Sequence, residues 1–448
     1  MDPRHRTWVS SERFVPKVFI RPFARFIEIE AASGIVLLIA AVIAMIWANS
    51  AWSDSYFSIL EQHLTIEFFD FHFDESVLHL INDGLMTIFF FVVGLEIKRE
   101  LVLGDLRDPR AAALPVIAAL GGMVVPALIY FALNVGTAAS HGWGIPIATD
   151  IAFAVGVVVL LGSRVPSGAK LFLLAVAIAD DIGAIVVIAT FYTSELDSLY
   201  LAAAIAGLVL VWVANRIHIR AMWFYIPMGI VIWYLMLESG VHATLAGVAL
   251  GFLTPAQPFY QPREFDRRAR AILDVYPVEE TADPSAQEHA DYEALLLSNV
   301  ANEAVAPLAR LEHRLVAWSS FVVIPIFALA NAGIDFRDID IGAALTSPVA
   351  LGVAGGLVVG KVLGVTLASF GAVRLGLGKL PPGTTWWHVL GLSAVAGIGF
   401  TVALFVAGLA FEDPELKELS KVGIFAGSLI AGIVGTVILS RSRPTTTE

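Results

Sequence analysis

The chain has 448 residues, 57% apolar and 15% charged, against roughly 45–50% apolar and about 25% charged in ordinary soluble domains. A soluble fold cannot hide that much apolar surface, and the apolar residues come in long unbroken runs, so the composition is that of a membrane protein. The net charge of −12 is concentrated in the stretch from Glu264 to Glu312 and points to no nucleic-acid partner, while the absence of cysteine excludes disulfides, thiolate metal sites and cysteine nucleophiles.

Arg4, Arg6, Arg13, Lys17, Arg21 and Arg25 precede the first apolar run, Ala31 to Ala48. That run exceeds the roughly 7–15 residues of a signal-peptide core, so it is expected to stay as the first helix. Residues 1–27 read as a basic cytoplasmic arm, in which Pro16 and Pro22 rule against one continuous surface helix. Apolar segments then lie at about 28–48, 77–97, 112–133, 143–162, 169–191, 198–214, 222–237, 240–253, 315–332, 345–371, 386–410 and 421–440. Set against the about 20 residues that a span needs, they predict an all-α integral membrane protein of about twelve transmembrane helices. The seventh and eighth are short and separated only by Glu238 and Ser239.

The first eight spans would occupy residues 28–253, and the last four residues 313–440. Between the first two, at about 52–75, the run from His63 to Asp74 alternates in part and is rich in β-branched and aromatic residues, which predicts a small periplasmic β-hairpin. Residues 254–312 form an acidic cytoplasmic loop; its Pro-containing first half reads as irregular, and Tyr292 to Arg314 carries helical apolar spacing leading directly into the ninth span. Residues 441–448 are the tail. With the N-terminus inside, only Arg337, Lys417 and Lys421 of the 28 Lys and Arg fall outside, with Lys361 inside the membrane, so both termini are expected to be cytoplasmic in a bacterial inner membrane.

Gly121-Gly122-Met123-Val124-Val125-Pro126 in the third segment resembles Gly355-Gly356-Leu357-Val358-Val359-Gly360 in the tenth, and Lys170 and Lys421 each open the span two helices later. Seven spans separate the copies, and an odd shift reverses orientation, which makes an inverted-topology repeat. In matching positions of the two copies, Gly144, Pro146, Thr149 and Asp150 in the fourth segment and Gly397, Gly399 and Thr401 in the eleventh predict two broken helices. If these cross, Asp150 would balance their paired N-terminal ends and Lys361 their paired C-terminal ends.

A charge at mid-span costs about 2.5–3.5 kcal/mol, so a sequence that keeps one usually uses it. Asp180 and Asp181 stand inside Leu171 to Phe191, Asp150 inside the fourth segment, Lys361 inside the tenth, and Asp83 near the start of the second. An isolated acid–lysine pair can serve only to hold helices together, but two adjacent mid-span aspartates are a costly scaffold. They point about 100° apart and must have different neighbours. Ala175, Ala177, Ala179, Gly183 and Ala184 around them leave room for a helix, an ion or water. No phosphate-binding loop, zinc-protease motif or nucleophile elbow is present.

Ala148-Thr149-Asp150-Ile151-Ala152-Phe153, Ala177-Ile178-Ala179-Asp180-Asp181-Ile182-Gly183-Ala184 and Asn82-Asp83-Gly84-Leu85-Met86 followed by Gly94-Leu95-Glu96-Ile97-Lys98-Arg99-Glu100 together resemble the bacterial NhaA sodium/proton antiporter family. Ser239 to Gly247 around His242, Arg310-Leu311-Glu312-His313, Ala330-Asn331-Ala332-Gly333, Gly360-Lys361 and Gly397-Ile398-Gly399-Phe400-Thr401 extend the likeness in order from the first span to the twelfth. Inverted repeats with broken helices are an architecture of which this family is itself a standard example, so the resemblance carries part of that expectation.

The resemblance implies electrogenic exchange of cytoplasmic Na⁺ or Li⁺ for external protons by alternating access, with no cofactor, in the service of pH and sodium homeostasis. It makes Asp180 and Asp181 the ion and proton site, with Thr149 contributing to the transient Na⁺ site, Thr149 and Asp150 the break in the fourth helix, and Lys361 the partner of Asp180. Glu96, His242, Glu312 and His313 match positions tied to pH response, and Glu96, His242 and Glu312 are expected near the inner face. The loop 254–302 is longer and more acidic than in compact members. A sodium-coupled organic-solute symporter of a related inverted-repeat fold is the alternative transporter, favoured by a substrate cavity well beyond ion size. A membrane enzyme working through the aspartates would instead show turnover without an ion gradient. The exposed hairpin edge is a template for pairing and, with the resemblance, predicts a homodimer.

Overall fold

Four of the long helices start where the sequence supplies a side-chain cap. Asp108 accepts from Arg110 N at 3.0 Å and Asp197 from Leu199 N at 2.8 Å, while Ser347 and Asp413 cap helices whose first residues are Pro348 and Pro414. Such side chains satisfy amide groups that a helix start leaves unbonded, and proline there has no amide to waste.

The computed structural model describes residues 32–68, 71–193, 196–219, 222–277, 284–337 and 340–442. The basic arm 1–27, residues 69–70 and most of the tail lie outside the described residues. In chain order the elements are α1 (Ala32–Ala48), α2 (Ser53–Glu61), strands β1 (His63–Phe68) and β2 (Phe71–Ser76), α3 (Val77–Val102), α4 (Pro109–Asn134) and a 3₁₀ half-helix, Ala138–Ile147. Next come α5 (Ile151–Leu160), α6 (Ser167–Phe191), α7 (Ser198–Arg216), α8 (Met222–Glu238), α9 (Thr244–Leu253), α10 (Pro262–Val275) and α11 (Pro284–Glu303). Last are α12 (Pro307–Asn331), α13 (Ile341–Thr346), α14 (Pro348–Arg374), α15 (Trp386–Val395), α16 (Phe400–Ala410) and α17 (Pro414–Ser440).

Among the described residues seven helices are long and apolar enough to cross a membrane, and up to ten spans result if each of three bent pairs counts as one. All twelve apolar segments of the sequence are helical: seven long helices, three bent pairs, and the shorter apolar helices α8 and α9. Two bent pairs are the predicted broken helices: 138–147 with α5, bent by 41°, and α15 with α16, bent by 49°. Leu38, Ile46, Leu128 and Leu367 are among many exposed apolar side chains, as befits a surface whose solvent is lipid.

The hairpin forms in antiparallel register, His63 opposite Ser76 and Phe68 opposite Phe71, but residues 53–61 of the stretch assigned to it are helix α2. Two further expectations are corrected in the loop. The segment read as irregular contains α10, because Pro262 fits a first turn and Glu264 pairs with Arg268 four residues on, at 2.7 Å. The helical spacing from Tyr292 does not run straight into the ninth span: α11 ends at Glu303 and α12 begins at Pro307, where a proline stops the preceding residue from continuing a helix.

Glycine decides the closest helix contacts. A Cβ on Gly121 of α4 would strike the carbonyl of Gly364 on α14, and one on Gly364 would strike that of Gly121. Gly360 lies against Pro126 in the same way, so the two segments that carry the sequence repeat pack backbone to backbone. Gly94, Gly247 and Gly251 do the same between α3 and α9. A turn of π-helix, Gly356–Gly360, directly precedes Lys361 and re-aims the helix at that point.

Candidate functional site

The breaks at 148–150 and 396–399 lie against each other. Asp150 N donates to Ile398 O at 2.7 Å, and Thr149 Oγ1 donates to Ala396 O at 2.8 Å. Asp150 accepts from Phe153 N at 3.1 Å and from Thr401 N at 3.1 Å and Oγ1 at 2.5 Å. One carboxylate therefore caps the N-terminal ends of both α5 and α16, where unbonded amides and helix dipoles concentrate positive charge.

The C-terminal side is met by Lys361. Its Nζ donates to Ile147 O, the end of the 3₁₀ half-helix, at 2.5 Å, to Thr149 Oγ1 at 3.1 Å, and forms an ion pair with Asp180 Oδ2. Lys361, Asp180, Thr149 and Asp150 are each no more than 2% exposed, so the breaks, the cation and the carboxylate form one buried polar cluster. Thr149 Oγ1 also lies 2.7 Å from Asp180 Oδ2.

Asp180 uses only one of its oxygens in these contacts. Oδ1 is buried with no hydrogen-bond partner among the described residues, which is costly for a carboxylate unless something cationic visits it. Asp181 follows on the same helix and is 6% exposed. Asp180, Glu96 and Asp150 are the acids near enough to repel it, and Lys361 the cation near enough to attract it. Asp180 and Asp181 share one lysine, which leaves this part of the cluster short of positive charge, and the open carboxylate oxygen suits a small monovalent cation or a proton.

The candidate pH residues do not gather in one place. Glu312 of α12 is buried and pairs with Arg99 of α3 at 2.5 Å, and Arg99 also holds Glu100 at 3.1 Å; Glu96, one turn earlier, feels Glu312 electrostatically. These lie at the loop end of the molecule. His242 does not join them, contrary to the expectation that it shares their face. It lies in the turn between α8 and α9, donates from Nε2 to Tyr192 O at 2.7 Å, and faces Asp83. Asp83 and Glu96 are 13 residues apart on α3, about 20 Å of helix, so His242 is at the hairpin end. His313 is exposed, its neighbour Glu312 taking the buried face of α12.

Sequence reasoning does not single out His79, whose Nε2 lies 3.0 Å from Asp83 Oδ2 and 3.7 Å from Glu75. The i,i+4 spacing of Glu75, His79 and Asp83 is the available signal. Nor does it find Tyr192, whose contacts depend wholly on tertiary packing.

Residues 24–439 match the protein family described as Na⁺/H⁺ antiporter 1. The Na⁺/H⁺ antiporter NhaA of Syntrophobacter fumaroxidans is 46% identical over 434 residues, 95% of this chain and 92% of that protein. The one from Oleidesulfovibrio alaskensis is 46% identical over 428 residues, covering 94% of each chain. That of Koribacter versatilis is 45% identical over 425 residues, with 95% and 92% covered.

Proposed function

The chain belongs to the Na⁺/H⁺ antiporter 1 family, and from that premise we propose that it exchanges cytoplasmic Na⁺ or Li⁺ for external protons at the carboxylates of Asp180 and Asp181. The observation that carries the reading is the buried, unpartnered Asp180 Oδ1 beside Asp181. Na⁺ needs ionised oxygens, supplied by the two aspartates and by Thr149, and a proton on the same carboxyl removes both the ligand and its charge. The two ions therefore compete for one site, and exchange needs no separate gate for each.

With the site open to the cytoplasm, Na⁺ displaces protons from the pair; the loaded site reorients, and external protons displace Na⁺. Lys361 neutralises Asp180 while the ion is away. More than one proton returns for each Na⁺, which makes the cycle electrogenic. The test is Na⁺-, Li⁺-, K⁺- or choline-induced dequenching of a pH dye in proteoliposomes. Na⁺ and Li⁺ should release protons without an organic solute, and the apparent Na⁺ affinity should fall about tenfold to a hundredfold per unit of falling pH. An affinity flat from pH 6 to 9, or movement of Na⁺ only with an organic solute, rejects the reading in favour of another mechanism.

The Glu96, Arg99, Glu100 and Glu312 cluster at the loop end is our candidate for setting the pH profile, and Glu312→Ala should move its midpoint in the same assay. His242, at the opposite end, is assigned to the external side. Both termini are placed in the cytoplasm, supported by the one-sided distribution of Lys and Arg; a reporter fused after Glu448 should be cytoplasmic, and a periplasmic signal would reverse the topology. The strand edge exposing Leu64 and Ile66 is placed against the hairpin of a second copy. Deleting residues 62–74 should give monomers in detergent, and persistence of dimers would move the interface elsewhere.

A further inference from the structure

The half-helix Ala138–Ile147 has ten residues of 3₁₀ conformation, although the poorer alignment of its bonds makes runs beyond about 3–4 residues uncommon. Its own ladder is a weak restraint, and two phenols supply a stronger one. Tyr130 of α4 donates to Ala139 O at 2.8 Å. Tyr192, the residue just past the end of α6, donates to His141 O at 2.8 Å and accepts from Gly144 N at 3.0 Å. Both tyrosines are buried. Glycine makes room for each ring: a Cβ on Gly142 would strike the Tyr130 hydroxyl, and one on Gly144 the Tyr192 hydroxyl. Trp143 stacks on Tyr192 with centroids 6.4 Å apart.

The restrained segment leads straight into the ion site. Ile147 O receives Lys361, and Thr149, two residues on, bonds Asp180. The phenols reach from α4, where a Cβ on Gly122 would lie against the Lys361 stem, and from α6, which carries both aspartates. Any movement that opens the site toward the hairpin end by shifting this half-helix relative to α4 and α6 must break the three phenol bonds, while movement at the loop end leaves them intact.

We propose that Tyr130 and Tyr192 are positioning residues of the exchange cycle, a clamp that keeps the half-helix seated on the aspartate helix and the site closed toward the hairpin end until the protein reorients. The proposal rests on the exchange reading above, but its test does not require ion movement. Because the sequence contains no cysteine, a single reporter can be introduced. Ala184→Cys lies on α6 one turn past Asp180 toward the hairpin end and is buried. Its labelling by a membrane-impermeant maleimide is followed in right-side-out and in everted vesicles, in the otherwise unaltered full chain and together with Tyr192→Phe, Tyr130→Phe or Gly144→Ala.

Tyr192→Phe keeps the ring and loses two hydrogen bonds, and should speed labelling from the hairpin side roughly five- to tenfold; Tyr130→Phe loses one and should speed it about two- to threefold. Neither should speed labelling from the loop side. Gly144→Ala should act like Tyr192→Phe, because its Cβ displaces the hydroxyl, and the Gly144→Ala/Tyr192→Phe double variant should label no faster than either single one. Unchanged hairpin-side rates in proteins of unchanged melting temperature would overturn the clamp. So would acceleration from both sides with a lowered melting temperature, which marks general loosening. Loss of Na⁺-dependent proton release with one-sided acceleration intact would reject the ion assignment and leave the clamp standing.

Discussion

Replacing Asp181 with asparagine is expected to abolish Na⁺-induced proton release, by at least about a hundredfold, while the purified protein keeps its wild-type melting behaviour. The amide has the size of the carboxyl but neither its charge nor its titration, so it can neither hold Na⁺ nor exchange it for a proton. A neighbouring amide also relieves the repulsion that Asp180, Glu96 and Asp150 exert on this position, so stability should not fall. The comparison is made by dye dequenching in proteoliposomes over pH 6–9, with Asp181→Glu as a control that keeps the charge. Exchange at the wild-type rate in Asp181→Asn would remove this residue from the ion path.

The second large effect is on stability. Lys361→Ala should lower the unfolding free energy by about 3–5 kcal/mol, because removing one partner of a buried pair leaves the other charged and unpaired. Asp180 Oδ2 and Ile147 O both lose their strongest donor at a position 1% exposed. The double variant Asp180→Asn/Lys361→Met should recover most of the loss, since a neutral, similarly sized pair carries no stranded charge. Melting in detergent with matched lipid content reads both. Single and double variants that both melt with the wild-type protein would show that the pair contributes little to stability, and would favour a role for Lys361 confined to transport.

The cost of intramembrane charge explains why so much of the candidate cluster is legible in the amino-acid sequence. Asp150, Asp180, Asp181 and Lys361 are conspicuous wherever they pack, because insertion penalises each of them regardless of neighbours. Glycine and proline at the two breaks and the apolar runs are likewise local signals, and caps such as Asp108 and Asp413 mark helix starts on their own. The hairpin is readable from its composition, although the stretch assigned to it also takes in helix α2. Hydropathy also registers α8 and α9, the two shortest apolar segments, and both are helical in the structure.

What composition and periodicity determine is therefore the membrane class, the positions of the apolar helices, the two breaks and four charged residues buried at or near them. Tertiary structure alone decides that Lys361 pairs with the Oδ2 of an aspartate 181 residues away, leaving Oδ1 open. It also decides that one carboxylate, Asp150, caps two helices at once, that His242 sits about 20 Å from the acids expected to share its face, and that Tyr130 and Tyr192 close over the 3₁₀ half-helix. The division has one physical reason. The free energy of burying a charge or bending a helix is set largely by the residue and its immediate chain neighbours, whereas the choice of hydrogen-bond partner depends on how close two backbones can approach, and here that is fixed by glycine contacts such as Gly121 against Gly364 between segments far apart in the chain.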